Sequence, residues 1–286
     1  MQKYVINVFQ NILKDATKNP KEAAFIVKFG MNLKMAKRRR RIYKEKGERV
    51  PKLIIGSLNS NCNFFCRGCY KRNNKKIIYD NENTLSISEW RKIIARAKNM
   101  GVLSFAFTGG EPLGRKDILY EAAKVKSIVF PTFVSVETIT EDSISIFNEN
   151  RNIIPILRIK GDRKNESELF IKAVKTLYKY KIYYGVIVNL NKKNLYEATG
   201  KEFIESVYNY GCKALIFAED VNNNIIDDND REVLIKKEKY LRKNYSNILF
   251  FYINEKNKKV NKCLGFDNEI FQVNFNGNME NCIYLK

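Results

Sequence analysis

The sequence predicts an α/β fold, and three observations support this prediction. After Pro51, short runs of β-branched and aromatic residues alternate with longer stretches of helical period. The short runs are apolar throughout, which is typical of parallel strands buried on both faces of a sheet. The chain has 286 residues and an apolar content of 44%, which is enough for one large core. Either an open doubly wound sheet or a partial barrel satisfies these observations.

Six strand–helix units follow one another in the middle of the chain. The strands are expected in "KLIIGSL", "VLSFAF", "VFPTFVSV", "IIPILRI", "YYGVIVNL" and "CKALIFA". The helices are expected at Ser86–Met100, Asp117–Ser127, Glu141–Asn148, Glu166–Tyr180, Lys201–Tyr208 and Asp230–Lys243. In both architectures ligands bind at the carboxyl ends of the strands, so the loops that follow the strands are the candidate sites.

Residues 1–50 are expected to form a basic helical segment ahead of the sheet. Two stretches of helical period are separated by Asn19-Pro20, where a helix is expected to stop. The run "KMAKRRRRIYKEKGER" then concentrates the positive charge of a chain whose net charge is +21. A solvated helix end is favoured over a membrane-surface or RNA patch, because lysines are abundant along the whole chain and no aromatic-rich RNA motif accompanies the run.

The sequence is typical of a cytoplasmic protein. No run approaches the roughly 18 consecutive apolar residues of a transmembrane helix, and the N-terminus lacks the zones of a signal peptide. In a reducing compartment, clustered cysteines hold metal or do chemistry more often than they form disulfides. The chain has six cysteines and no histidine, which excludes His-ligated metal sites and His-based catalytic triads.

The loop after the first strand, "SNCNFFCRGCY", contains three of the cysteines. Cys62, Cys66 and Cys69 have the spacing C-x3-C-x2-C. A structural zinc site usually closes with four ligands at paired spacing, whereas an iron–sulfur cluster accepts three thiolates and leaves one iron open for a ligand. Burial of the three cysteines as small apolar residues is disfavoured by the polar residues between them.

The loop after the second strand, "FTGGEPL", has features of a ligand-binding turn. Gly109 and Gly110 let backbone carbonyls approach a ligand ammonium, and Pro112 fixes the exit of the turn. Glu111 can hold the loop or add negative charge beside a cation. Alone, these residues are equally compatible with an ordinary turn. Their position one unit after the cysteine loop favours the ligand-binding interpretation.

These two loops, in this order, resemble the radical S-adenosylmethionine (SAM) superfamily over about residues 51–221. The resemblance implies a partial (β/α)6 TIM-like barrel. We expect the N-terminal helical segment to precede this barrel and a small C-terminal β extension to follow it. The resemblance also implies a [4Fe-4S] cluster on the three cysteines, with SAM bound to the fourth iron through its amino and carboxylate groups. The residues expected to line the methionyl amino group are Gly109, Gly110, Glu111 and Pro112.

In the superfamily, reductive cleavage of SAM produces a 5′-deoxyadenosyl radical that abstracts hydrogen from a substrate. The resemblance implies the same activity here, on a peptide or on an intermediate of cofactor biosynthesis, with an electron donor such as ferredoxin or flavodoxin. No side chain needs to act as an acid or base in that step. We therefore assign no catalytic residue from the sequence.

The sequence departs from the superfamily pattern at several positions. Gly68 stands before the last cysteine where an aromatic residue is common. Tyr70 is a candidate to contact the adenine instead, and ordinary packing of its ring is an equal alternative. The third strand is not followed by a glycine turn, and Ser135 and Glu137 are candidates to contact the methionyl carboxylate or the ribose. After the fourth strand, Lys160 stands where an acidic residue is usual.

The C-terminal part of the chain resembles the SPASM or twitch extension, in which a hairpin carries ligands to an auxiliary cluster. We predict a radical SAM core at 51–245 and a SPASM-like extension at 246–286. Cys263 and Cys282 flank an alternating strand and an Asn-Gly turn, but the later cysteines of such an extension are absent. One cluster per chain is predicted, with the tail as a lid over the barrel mouth, and Cys212 is expected to be a buried small residue.

Two further hypotheses compete with an enzyme that acts on a peptide or on an intermediate of cofactor biosynthesis. A degenerate member would bind a cluster and serve as a partner-binding or regulatory protein. A nucleic-acid-modifying enzyme would use Arg38 to Arg41 as a phosphate-contacting patch. The second of these has less support, and we do not expect a nucleic-acid partner.

Overall fold

The computed structural model describes residues 8, 10–11, 13–14, 19–48, 50–60, 84–159, 166–219, 225–253 and 270–280. Its strands are β1 Leu53–Ser57, β2 Ser104–Thr108, β3 Phe130–Ser135, β4 Ile153–Ile159, β5 Gly185–Leu190, β6 Ala214–Glu219, β7 Leu249–Ile253, β8 Ile270–Val273 and β9 Met279–Glu280. Its helices are α1 Pro20–Glu45, α2 Ile87–Met100, α3 Lys116–Ala123, α4 Glu141–Glu149, α5 Glu166–Lys179, α6 Leu195–Ala198, α7 Lys201–Asn209 and α8 Asp228–Asn244.

The strands form one sheet in the order β7-β6-β5-β4-β3-β2-β1-β8-β9. Each of the first seven strands lies parallel to its neighbour in sequence, with helices in the connections, as right-handed crossover units produce. Among the described strands, β7 and β9 form the two edges, so the sheet is open rather than closed. The predicted α/β fold with a partial TIM-like barrel is confirmed.

The predicted strand–helix units agree with the structure to within a few residues, with one clear error. The helix expected to reach Ser127 ends at Ala123. Residues 124–128 form turns instead, in which Val125 donates to the carbonyl of Ala122 and Ile128 to that of Val125. Local turn bonds therefore replace the last turn of the predicted helix.

The sheet contains two parallel strands beyond the six predicted units. β7 lies against β6, and β8 pairs in parallel with β1, so that Leu53 lies beside Ile270. The predicted turn at Asn276-Gly277 is present and leads into the antiparallel strand β9. The lid predicted over the barrel mouth is wrong for residues 270–280, because they extend the sheet beside β1.

Large aromatic side chains fill the space between the first strands and α2. Trp90, Phe105, Phe107 and Phe130 are each 0% exposed, and their neighbouring ring centroids are 5.3–6.4 Å apart. A Cβ at Gly56 would lie 2.9 Å from both the Trp90 and Phe105 rings. Because Gly56 has no side chain, the aromatic rings pack directly against the backbone of β1, the strand that precedes the cysteine loop.

Helix α1 is anchored to the barrel by buried polar contacts. The guanidinium of Arg40 donates to the carbonyls of Val50, Pro51 and Gly101. Glu22 and Arg151 form an ion pair at 2.8 Å, with side chains only 2% and 7% exposed. Burial raises the pKa of Glu22, and the charge of Arg151 opposes this rise. Among the described residues, no helix has the length and apolar character of a membrane span.

The packing of β8 generates a stability prediction. Val273 is 3% exposed and belongs to the main core, so Val273→Asp should lower the free energy of unfolding by about 3 kcal/mol or more, because it buries an unpaired charge. Met279→Asp, at a side chain that is 67% exposed on β9, is the matched control and should change the free energy by no more than about 0.5 kcal/mol. Urea unfolding followed by circular dichroism measures both. Equal effects would show that β8 is not part of the core.

Candidate functional site

The carboxyl ends of β1 to β4 meet at one edge of the sheet and form the candidate site. Pairing places Ser57 of β1 level with Thr108 of β2, and Ser135 of β3 level with Arg158 of β4. The cysteine loop begins at this edge, since β1 ends only a few residues before it. Outside the described residues lie the four predicted site residues of that loop, Cys62, Cys66, Cys69 and Tyr70.

Asn59 joins the start of the cysteine loop to the glycine loop. The amide of Gly110 donates to both the carbonyl and the side-chain Oδ1 of Asn59, each at 2.9 Å. The Asn59 Nδ2 in turn donates to the carbonyl of Glu111 at 2.9 Å. These three hydrogen bonds fix the loop after β1 against the loop after β2.

Gly109 is required by the geometry of this contact. Its φ of 136° lies in a region that residues with a Cβ rarely adopt. A Cβ at this position would lie 2.8 Å from the carbonyl oxygen of Asn59 and 3.0 Å from the amide nitrogens of Leu58 and Asn59. The predicted approach of this loop to a ligand ammonium stays a prediction, because the group close to Gly109 in the structure is the chain's own backbone.

Glu111 ties the glycine loop to the next two strands. Its Oε2 accepts from the amide of Ser135 at 3.0 Å and from the Nη2 of Arg158 at 3.1 Å. Its Oε1 accepts from the amide of Leu113 at 3.4 Å and caps the 3₁₀ turn Pro112–Arg115. Of the two functions that the sequence left open for Glu111, the structure shows that it holds the loop.

The charge of Glu111 is balanced by Arg158. The Arg158 Nη2 also donates to the carbonyl of Gly110 at 3.1 Å, so one nitrogen contacts both the carboxylate and the loop backbone. Burial raises the pKa of Glu111, while Arg158 and the amide donors oppose this rise. The side chains of the pair are 12% and 27% exposed, which makes the ion pair largely buried.

Ser135 and Glu137 lie at the carboxyl end of β3, where the sequence predicted contacts to SAM. Ser135 is 0% exposed, and its carbonyl accepts from Thr138 Oγ1 at 2.7 Å. Glu137 is half-buried in the 3₁₀ turn Val136–Thr138, which stands where a glycine turn is usual in the resembling superfamily. The contacts of both side chains to SAM stay a prediction.

Buried polar groups at this edge fit a polar cofactor. Ser57 and Ser60 are 1% and 2% exposed, and neither hydroxyl has a hydrogen-bond partner among the residues that the structure describes. A buried hydroxyl without a partner is costly, so a ligand or the neighbouring loop would satisfy it. Together with the carboxyl ends of the four strands β1 to β4, these donors and acceptors suit SAM beside a cluster.

Two contributors to the site, Asn59 and Arg158, were not identified from the sequence. Arg158 is the one charged residue in the run "IIPILRI", and a charge within an apolar strand indicates a buried partner. Asn59 is a polar residue directly after an apolar strand, a weaker signal. Neither signal predicts which residue is contacted, because contacting residues such as Arg158 and Glu111 are distant in sequence.

Cys212 lies at the opposite end of the barrel from the candidate site. It precedes β6, is 1% exposed, and its thiol donates to the carbonyl of Ala214 at 3.2 Å. Burial raises the pKa of this thiol to about 12, so it is protonated at neutral pH. The prediction of a buried small residue is confirmed, and Cys212 is unsuited to bind iron as a thiolate.

A second polar cluster orders the carboxyl ends of β6 and β7. Glu219 accepts a bidentate pair from Arg231 of α8, with the closest contact at 2.9 Å, and also accepts from the hydroxyl of Tyr252. The Glu219 side chain is 2% exposed. Because every partner is in place, this cluster stabilises the far half of the barrel mouth.

Comparison with known proteins finds a family model and relatives to which this chain is similar. The model of the radical SAM superfamily matches residues 57–147, which span the cysteine loop and the glycine loop. A cysteine-type anaerobic sulfatase-maturating enzyme of Clostridium novyi (strain NT) is 27% identical over 165 residues. That alignment covers 49% of this chain and 44% of the relative, so this chain spans less than half of the relative's length.

Solved structures share the fold. SuiB of Streptococcus suis bound to precursor peptide SuiA superposes with a TM-score of 0.67 and 16% identity, over 87% of this chain and 63% of SuiB. Native anSMEcpe with bound AdoMet and Cp18Cys peptide gives a TM-score of 0.54 and 17% identity, over 82% and 74% of the two chains. At these identities the likeness establishes the fold alone.

Removal of the Arg158 guanidinium should destabilise the site in a pH-dependent manner. Arg158→Met leaves Glu111 buried without a cation and should lower the free energy of unfolding by about 3–5 kcal/mol at pH 8. The loss should be smaller at pH 5, because burial without a cation raises the Glu111 pKa further. A carboxyl whose pKa is higher in the folded than in the unfolded state destabilises the fold once the pH exceeds its unfolded-state pKa. The loss of stability grows until the pH has passed the folded-state pKa.

Urea unfolding of Arg158→Met at pH 5 and pH 8 measures this dependence. Arg158→Lys is the control, since it keeps the charge and should lose less stability, with a weaker dependence on pH. A loss that is the same at both pH values in Arg158→Met would contradict the structural role of the ion pair.

Proposed function

We propose that this chain is a radical SAM enzyme with a [4Fe-4S] cluster and SAM as cofactors, and a peptide as substrate. When bound, these cofactors supply reductive cleavage of SAM to a 5′-deoxyadenosyl radical, which abstracts hydrogen from the substrate. The observation that carries the proposal is the family match over residues 57–147, which contain both predicted loops. The hydrogen bonds from Asn59 that join the two loops support it.

The chain's own residues would bind and orient the cofactors. Cys62, Cys66 and Cys69 would hold the cluster, and the loop from Gly109 to Pro112 would line the methionyl amino group. The Glu111–Arg158 pair would act through the loop backbone, because both side chains are engaged with the protein. Ser135 would contribute from the end of β3, and the half-buried Glu137 from the turn after it.

A peptide is the better supported of the two substrate classes considered from the sequence. The similar proteins include an anaerobic sulfatase-maturating enzyme, and structures of SuiB and anSMEcpe with bound peptides. An intermediate of cofactor biosynthesis is the alternative. The electron would come from a donor such as ferredoxin or flavodoxin, and the proposed compartment is the cytoplasm.

A degenerate, partner-binding member is the second candidate function. The observation that favours it is the 3₁₀ turn Val136–Thr138 after β3, which takes the place of a glycine turn at the expected SAM site. If this turn narrows the site, the chain would bind a cluster without cleaving SAM. The assay below separates this function from the enzyme.

Reconstitution tests the proposed activity. Protein loaded anaerobically with iron and sulfide should form 5′-deoxyadenosine when reductant and SAM are added, and Cys66→Ala should abolish it. Cys212→Ala is the matched control and should retain the activity, because that thiol is buried at the other end of the barrel. Cluster absorbance and SAM binding without 5′-deoxyadenosine would support the degenerate member, and the absence of a cluster would reject both functions.

The number of irons tests the C-terminal segment. We propose that Cys263 and Cys282, which lie outside the described residues, hold no complete second cluster, since two thiolates are too few for a usual [4Fe-4S] ligand set. Iron analysis of reconstituted protein should give about four irons per chain. About eight irons, falling to about four in Cys263→Ala/Cys282→Ala, would instead show a SPASM-like auxiliary cluster.

A further inference from the structure

The outer face of α1 exposes apolar side chains to solvent. The exposed fractions of Val27, Met31, Met35 and Ile42 are 63%, 62%, 52% and 40%. Their spacing places them on one side of the helix. The opposite side packs on the barrel through Ala36 and the anchoring contacts of α1. Four exposed apolar side chains on one side of a surface helix give this face the character of a second contact surface.

The exposed surface of α1 as a whole is strongly basic. Within residues 20–48, the exposed cations are Lys21, Lys28, Lys34, Lys37, Arg38, Arg41, Lys44 and Lys46. The exposed carboxylates in the same range are Glu45 and Glu48. Eight cations minus two carboxylates leave six positive charges on one helix and its C-terminal turn. Only Arg41 has a carboxylate partner within this range, Glu45 at 3.5 Å.

A small polar cavity lies beside this face. It has a volume of about 130 Å³ and its lining includes Asn32, Met35, Arg39, Lys98 and Ser127. The Ser127 hydroxyl is buried and has no hydrogen-bond partner within the described part of the chain. Cationic side chains around an unsatisfied hydroxyl suit the oxygens of a phosphate group.

We propose that the outer face of α1 binds the surface of a membrane that contains anionic phospholipids. Val27, Met31 and Met35 would enter the boundary between headgroups and acyl chains, and the flanking lysines and arginines would lie at the phosphate level. The cavity beside Met35 would receive the phosphate of one headgroup. This inference does not depend on the proposed enzyme activity.

The chemistry of the face favours a membrane over the other anionic partners. RNA recognition uses exposed aromatic side chains, and the exposed residues of α1 include none. An acidic peptide binds along a groove or a sheet edge, whereas this face is the convex surface of a single helix. Exposed apolar residues flanked by cations on a convex helix suit the boundary between the headgroups and the acyl chains of an anionic membrane.

Sedimentation with lipid vesicles tests the proposal. The full chain should bind vesicles of phosphatidylcholine with 30% phosphatidylglycerol and should not bind phosphatidylcholine alone. Met31→Ser/Met35→Ser, which keeps the charge, should weaken binding by roughly tenfold or more through lost apolar contact. Arg38→Ala/Arg41→Ala should weaken it by about fivefold for each charge removed.

Helix α8 offers matched controls, because it also exposes apolar and basic residues. Val233→Ser/Ile235→Ser and Lys236→Ala/Lys239→Ala make the same kinds of change there and should leave vesicle binding unchanged. Circular dichroism checks that all variants are folded.

Three results would overturn the proposal: no binding to the anionic vesicles, equal binding to neutral vesicles, or equal losses in the α8 variants. A labelled 20-residue single-stranded RNA and polyglutamate are tested in parallel. Binding to either one, without vesicle binding, would assign the face to that partner and reject the membrane.

Discussion

The candidate site depends on the hydrogen bonds and the ion pair of the buried Glu111 carboxylate. This carboxylate accepts from the backbone of β3, from a guanidinium on β4 and from the turn that it caps. A charge in such a position is tolerated only when all its partners are present, so the relative positions of these strand ends are tightly constrained. Asn59 adds the end of β1 through the same loop. The hydrogen bonds of Asn59 thus fix the position of the chain directly before the cysteine loop.

This arrangement separates the residues that build the site from those expected to contact the cofactors. The side chains of Glu111, Arg158 and Asn59 are engaged with protein groups, and the aromatic layer around Trp90 supports β1 from behind. The backbone of the glycine loop is therefore positioned by neighbours that need not touch a ligand. Such positioning is a usual requirement for precise binding and catalysis.

Much of the barrel could be predicted from the sequence, and the reason is local. Apolar strand runs and helix-capping residues such as Ser86 favour one local conformation whatever their tertiary contacts. The bounds of α2 therefore agree with the prediction to within one residue. A close approach at Gly109 was also predicted, but toward a ligand ammonium, whereas the structure shows the backbone of Asn59 there. Local sequence patterns do not predict which distant segments contact each other in the fold. The Arg158–Glu111 pair and the pairing of β8 with β1 join residues far apart in the chain, and neither strand sequence names its neighbour. The end of α3 was missed because turn bonds competed with one more helical turn.

The position of β8 affects how the protein forms as it is synthesised. β1 acquires its neighbour on one side when residues 104–108 emerge from the ribosome, but its other neighbour begins only at Ile270. During most of translation the backbone donors and acceptors on that side of β1 lack β8, the strand that pairs with them in the described part of the fold. An unpaired edge of this kind is a template for association with other chains, and pairing across so long a sequence separation is slow. Nascent and C-terminally truncated chains should therefore depend most on chaperones, with β1 as the segment that needs protection.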